Sequence, residues 1–121
     1  MKWSFKEGRP IYSQIVEQMK VRIASGVYEP GEKIPAVREL AVEAGVNPNT
    51  MQKALSELER DGLLHSERTS GRYVTEEIEV INEMKMSLSR EIVKDLFDRL
   101  DKLGMSKEEI IAAVEQWAEE V

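Results

Sequence analysis

Two amphipathic stripes with almost nothing between them constrain this chain more than any other feature. Val37, Leu40, Ala41 and Ala44 recur at helical spacing, and so do Met51, Ala54, Leu55 and Leu58. Each set marks the buried side of a helix with a 3.6-residue period. Only Ala44-Gly45-Val46 stands between them. Two helices joined by so short a glycine-containing turn form a helix-turn-helix. Asn47 is a good N-cap for the second helix. Pro48 suits its first position, where a missing N–H would be unpaired anyway, and Gly62 ends it.

The flanking segments complete a known supersecondary plan. Tyr12, Ile15, Val16, Met19 and Ile23 form a third stripe, opening at Pro10 and ending at Gly26. Residues 1–9 precede it as a short arm, and Pro30-Gly31 reads as a type II turn. After Gly62 the period changes. Leu63-Leu64-His65-Ser66 and Arg72-Tyr73-Val74-Thr75 flank a turn-rich tip, Glu67 to Gly71, which describes a β-hairpin. Three helices and a hairpin make a winged helix-turn-helix.

Beyond Thr75 the chain returns to helix. Ile81, Leu88, Ile92, Leu96, Leu100 and Leu103 share one face of a helix running to Gly104, with Glu76, Glu77 and Glu79 at the end where the dipole favours acids. Ser106-Lys107-Glu108-Glu109 is a capping box. It opens a last helix whose face is Ile110, Val114, Trp117 and Val121. The expected fold is therefore mostly α with a small β-hairpin. A winged helix-turn-helix domain occupies residues 1–75, and a two-helix dimerisation segment occupies 76–121. In that reading the stripe packs on a second copy of the chain and the last helix folds back over it. The alternative is that both helices cover their own N-terminal domain. Met84 and Met86 read as packing rather than ligand contacts.

Charge separates the two parts. The net charge of the 121 residues is −6, which by itself suits a nucleic-acid partner poorly. Residues 1–75 carry 11 Lys/Arg against 10 Asp/Glu, whereas residues 76–121 carry 6 against 13. The acidity lies in the C-terminal third, and the first part is free to attract phosphate. The absence of cysteine excludes disulfides, thiolate metal sites and cysteine nucleophiles. No apolar run reaches the roughly 18 residues of a membrane span, and the first residues lack a signal-peptide core. These features lead to the expectation of a cytoplasmic protein without membrane contact, cofactor or metal. Catalysis needs a nucleophile with a base, or a metal cluster. The single histidine, His65, has no evident partner, and acid pairs such as Glu108-Glu109 and Glu119-Glu120 read as solvated faces, so an enzyme is excluded.

In a helix-turn-helix the second helix enters the major groove, its N-terminal residues facing base edges. Here that end offers Asn47, Asn49, Thr50, Gln52, Lys53 and Ser56, with no acid from Gly45 to Ser56. Asn and Gln pair bidentately with adenine, and Thr bonds bases or phosphate. Asn47 is first of all a cap. Arg38, on the polar side of the preceding helix, suits a phosphate or base contact, with an ion pair to Glu39 or Glu43 as the alternative. At the wing, Arg68, Ser70, Gly71 and Arg72 combine charge with close backbone approach. A winged helix serving only protein–protein contact is the rival function, against which the acid-free face argues.

These strings together resemble the GntR family of bacterial regulators, and the YtrA subfamily in particular. The resemblance runs from Pro10 to Val74, through Pro10-Ile11-Tyr12-Ser13-Gln14-Ile15, Gly26 to Pro35, Val37-Arg38-Glu39-Leu40-Ala41, Val46-Asn47-Pro48-Asn49-Thr50 and Leu58 to Leu64. It implies a homodimer on double-stranded operator DNA, usually a repressor. DNA contacts are implied at Arg38, the start of the recognition helix and the wing. Pro48 and Gln52 stand where other branches carry arginine, so a different operator code is implied. Ala36 replaces the usual serine, and the wing is less basic and less glycine-rich than is usual. The segment after the wing is too short for the metabolite-binding domain of larger members, and the resemblance names no small-molecule effector.

Overall fold

Caps and glycines set the element boundaries in the computed structural model, which describes residues 1–121. Helices α1 (Ile11–Ala24), α2 (Val37–Ala44) and α3 (Pro48–Arg60) precede strands β1 (Leu64–Glu67) and β2 (Gly71–Val74), and helices α4 (Ile78–Asp101) and α5 (Lys107–Glu120) follow. Pro10 occupies the position before α1 rather than its first turn. Gly45, at φ +69°, ends α2 in the left-handed conformation that glycine adopts without strain. Asn47 caps α3 by accepting a hydrogen bond from the Asn49 N–H at 2.7 Å.

The chain divides into two compact units, Met1–Lys85 and Met86–Val121. In the first, α3 is central and packs against α1, α2 and β1. Ile15, Met19, Leu40, Met51, Leu55, Leu58, Leu63 and Val74 are fully buried there, each contributing about 1.5–3 kcal/mol relative to exposure. The N-terminal arm is tied down by two α1 glutamines. Gln14 accepts from the Lys6 N–H and donates to the carbonyls of Lys6 and Arg9, while Gln18 brackets Ser4 in the same way.

The wing is larger than the sequence indicates. β1 and β2 pair antiparallel, from Leu64 opposite Val74 to Glu67 opposite Gly71. The segment read only as following a turn adds a third rung. Ile34 N–H donates to the Arg72 carbonyl at 3.0 Å, Val74 N–H donates to the Glu32 carbonyl at 2.9 Å, and Lys33 bridges to Tyr73. Residues 32–34 thereby join α2 to the wing by backbone bonds.

The first turns of α4 belong to the first unit. Thr75 is buried, and its Oγ1 accepts from the Glu77 N–H at 3.1 Å just ahead of α4. Ile81 and Met84 are 6% and 9% exposed. The compact unit extends to Lys85, because those side chains are core. Ile81 is thus already covered within one chain.

In the second unit, Gly104 ends the turn after α4 and Ser106 opens α5. The Ser106 Oγ accepts from the Glu109 N–H at 3.2 Å, and the Glu109 carboxylate accepts from the Ser106 N–H at 3.0 Å, completing the capping box. The bond from the Ser106 N–H, helped by the adjacent Ser106 side chain, holds the Glu109 carboxyl below the usual carboxylate range. Ile110 is 2% exposed and, like Ile81, is interior to the single chain. Leu88 and Leu100 are half-buried. Ile92, Leu96, Leu103, Val114 and Trp117 are exposed, three of them by about two-thirds or more.

Helix α2 starts without a side-chain cap. Ala36 precedes α2 in extended conformation, φ −64° and ψ 156°, and offers no acceptor to the first N–H groups. Serine there can accept from Glu39 N–H while Glu39 reaches back. Ala36→Ser is expected to stabilise the protein by about 0.5–2 kcal/mol. Denaturation curves with equal m-values measure this directly, and a variant less stable than the parent contradicts the assigned helix start.

Candidate nucleic-acid interface

The N-terminal half of α3 turns its apolar residues inward and its polar ones to solvent. Asn47, Asn49, Gln52 and Lys53 are exposed, and Thr50 and Ser56 are half-buried on the same flank. Asn47 has its side-chain oxygen engaged by the cap, which leaves Asn49 as the unencumbered amide at the helix start. Gln52 donates to Ser56 Oγ at 3.4 Å and accepts from Arg72 Nη1 at 3.5 Å. Both bonds are long, so they orient Gln52 without tying it down. Lys53 Nζ lies 4.2 Å from the centre of the Tyr12 ring on α1, a cation–π contact worth about 0.5–1 kcal/mol at an exposed site.

The acids that follow on α3 are engaged by neighbours. Glu57 accepts a hydrogen bond from the Tyr12 hydroxyl. That bond, reinforced by burial and the Glu57 charge, holds the Tyr12 phenol above its usual range. Glu59 accepts from Ser66 Oγ at 2.9 Å and from Arg72 Nε. Burial pushes the Glu59 carboxyl up, but the bonds from Arg72 and Ser66 and the Arg72 charge outweigh it, leaving the group below the ordinary range. Such a carboxylate contributes stability above its unfolded pKa and loses it as pH falls through the folded value. The clasp is therefore intact at neutral pH.

That clasp gives Arg72 a partner within the chain. Its side chain is 17% exposed and paired with Glu59, so in the free chain it fastens the wing to α3. Sequence spacing gave no signal for the pair, because 13 residues and a change of period separate its members. At the tip, Arg68, Ser70 and Gly71 are exposed, and the Tyr73 hydroxyl donates to Ser70 Oγ at 2.9 Å. Arg38 is exposed on α2 and forms no ion pair with Glu39 or Glu43.

Arg38 and Arg72 therefore differ in a measurable way. Arg38→Ala is expected to weaken binding to every duplex and to flatten the slope of log K against log salt by about 0.9, one phosphate's share. Arg72→Ala is expected to lower stability and affinity while leaving the slope unchanged, because its charge is already paired. An equal change of slope in both variants would contradict the assignment of Arg72 to the clasp.

Comparison with known proteins follows the same outline. The model of the GntR family of bacterial regulatory proteins matches residues 11–74. The HTH-type transcriptional regulator YhcF of Bacillus subtilis is 36% identical over 95% of this chain and 95% of its own length. The HTH-type transcriptional repressor YtrA of the same organism is 37% identical over 96% of this chain and 87% of its own. Among solved structures, a GntR family transcriptional regulator from Listeria monocytogenes superposes with a TM-score of 0.85 at 38% identity, covering 93% of this chain and 98% of that one. The AraR DNA-binding domain in complex with operator ORX1 superposes with a TM-score of 0.56 at 30% identity, covering 62% of this chain and 99% of that one. These relatives are transcription regulators, not enzymes.

Proposed function

The chain belongs to the GntR family of bacterial regulatory proteins, and from that premise we propose that it binds a palindromic operator as a homodimer and represses the adjoining genes. The observation that carries this reading is the acid-free, exposed start of α3, with the wing clasped to the same helix and Arg38 exposed on α2. Asn49 and Gln52 read bases, and Arg38, Lys53 and the wing residues Arg68, Ser70 and Gly71 position the protein on the backbone. Thr50 and Ser56 border the same surface.

Assembly follows from the second unit. Ile92, Leu96, Leu100 and Leu103 line a common groove with Asp95 and Arg99, and Val114 and Trp117 expose further apolar surface on α5. A second copy of the chain covers this surface and sets two recognition helices on two half-sites. Repression is the sign carried by the relative YtrA, and no helix of this chain is long and apolar enough to cross a membrane.

Binding of a labelled random-sequence duplex across a salt series tests the partner class. The expected result is measurable affinity at low salt with log K falling linearly as log salt rises. A folded chain with no affinity for duplex at low salt would leave only the protein-contact role for the winged helix.

A further inference from the structure

We propose that Lys33, in the segment joining α2 to the wing, is a backbone anchor that grips a phosphate of the duplex beside the wing tip. This deepens the DNA-binding reading and rests on it. Lys33 bridges to Tyr73 on β2, so a side chain distant from the tip in sequence is placed next to it in space. Its Cε lies 3.1 Å, and its Nζ 3.9 Å, from where a Cβ on Gly71 would stand. Gly71 has φ +120°, which favours glycine, and the missing side chain leaves the path along which Lys33 reaches toward the tip. The side chain runs along a crevice lined by Pro35, Ala36 and Val37 on one wall and by Ser70, Gly71 and Arg72 on the other.

Charge at this place is otherwise scarce. Arg72, the other cation of the crevice, is paired with Glu59. Lys33 is exposed and forms no ion pair. The neighbouring acid Glu32 is turned back into its own loop, where it accepts from the Glu29 N–H at 2.8 Å. Arg38, already assigned to DNA, is the second residue of α2, next in sequence to Val37 of the crevice wall. An ammonium between Arg38 and the wing tip meets the strand between their two contacts. A phosphodiester oxygen suits it there, because an ammonium is a compact point charge with rotatable donors and carries no base code.

Lys33→Gln and Lys33→Arg in the full chain test this, with equilibrium binding to random and operator duplexes read across a salt series. One lost phosphate contact flattens the slope of log K against log salt by about 0.9 and lowers affinity by about fivefold at 0.15 M salt. Lys33→Gln is expected to show both changes equally on the two duplexes, and Lys33→Arg to restore the slope. Wild-type slope in Lys33→Gln overturns the anchor while leaving DNA binding intact. So does an affinity loss at unchanged slope with a lower denaturation midpoint, which makes Lys33 a structural residue. A wild-type chain that binds no duplex at low salt overturns the DNA-binding reading itself.

Discussion

With Ile92 and Leu96 both replaced by aspartate, the full chain is expected to sediment as a monomer and to lose about a hundredfold or more of its affinity for a palindromic duplex. The two side chains are 69% and 38% exposed in the single chain, so the protomer gives up little packing at Ile92 and some at Leu96. In a dimer they face apolar surface, and carboxylates buried there without a partner cost several kcal/mol each. Two half-sites held by one assembly gain about 10²- to 10⁴-fold from effective concentration, and separated domains forfeit that gain. Affinity for a single half-site is expected to stay close to the parent's. A double variant that remains dimeric in sedimentation would place the interface elsewhere.

Asn49→Ala and Gln52→Ala are each expected to cost about 1–3 kcal/mol on the best operator and little on random duplex. Asn49 carries the sharper expectation, because its amide has no side-chain partner on α3. Gln52 is held between Ser56 and Arg72 at 3.4 and 3.5 Å, which preorients its amide on the groove side of the wing. Removing Arg72 therefore also relaxes the base preference read by Gln52. Equal losses on operator and random duplex would make Asn49 and Gln52 backbone positioners, and no loss on either would mean that another surface docks.

The elements that the sequence made legible are those held by short-range chemistry. Helical spacing located α1, α2 and α3 and most of the apolar residues they bury, although Tyr12, Val37 and Ala44 are only half-buried; Asn47-Pro48 located the start of α3, and Ser106 to Glu109 located the start of α5. The acid-free face of α3 was legible for the same reason, since one helix carries all of it. What escaped is non-local. Glu32 to Ile34 pair with β2 across some forty residues of chain, and three residues leave no period to detect. Glu59 meets Arg72 only once the hairpin lies against α3. Ile81 shares a helical face with Leu88 and Ile92, and periodicity alone cannot tell that its first turns are core and its later ones exposed. Nothing in the spacing singles out Lys33, because only the folded hairpin brings Gly71 beside it.

The central claim is that one symmetric assembly of this chain reads DNA sequence through α3. Selection of bound sequences from a pool of random duplexes, followed by sequencing, tests it most directly. The account predicts an inverted repeat, with Asn49→Ala flattening the preference at the same position in both halves. A folded, DNA-binding chain that enriches no sequence, or enriches one asymmetric site indifferent to Asn49, would contradict it.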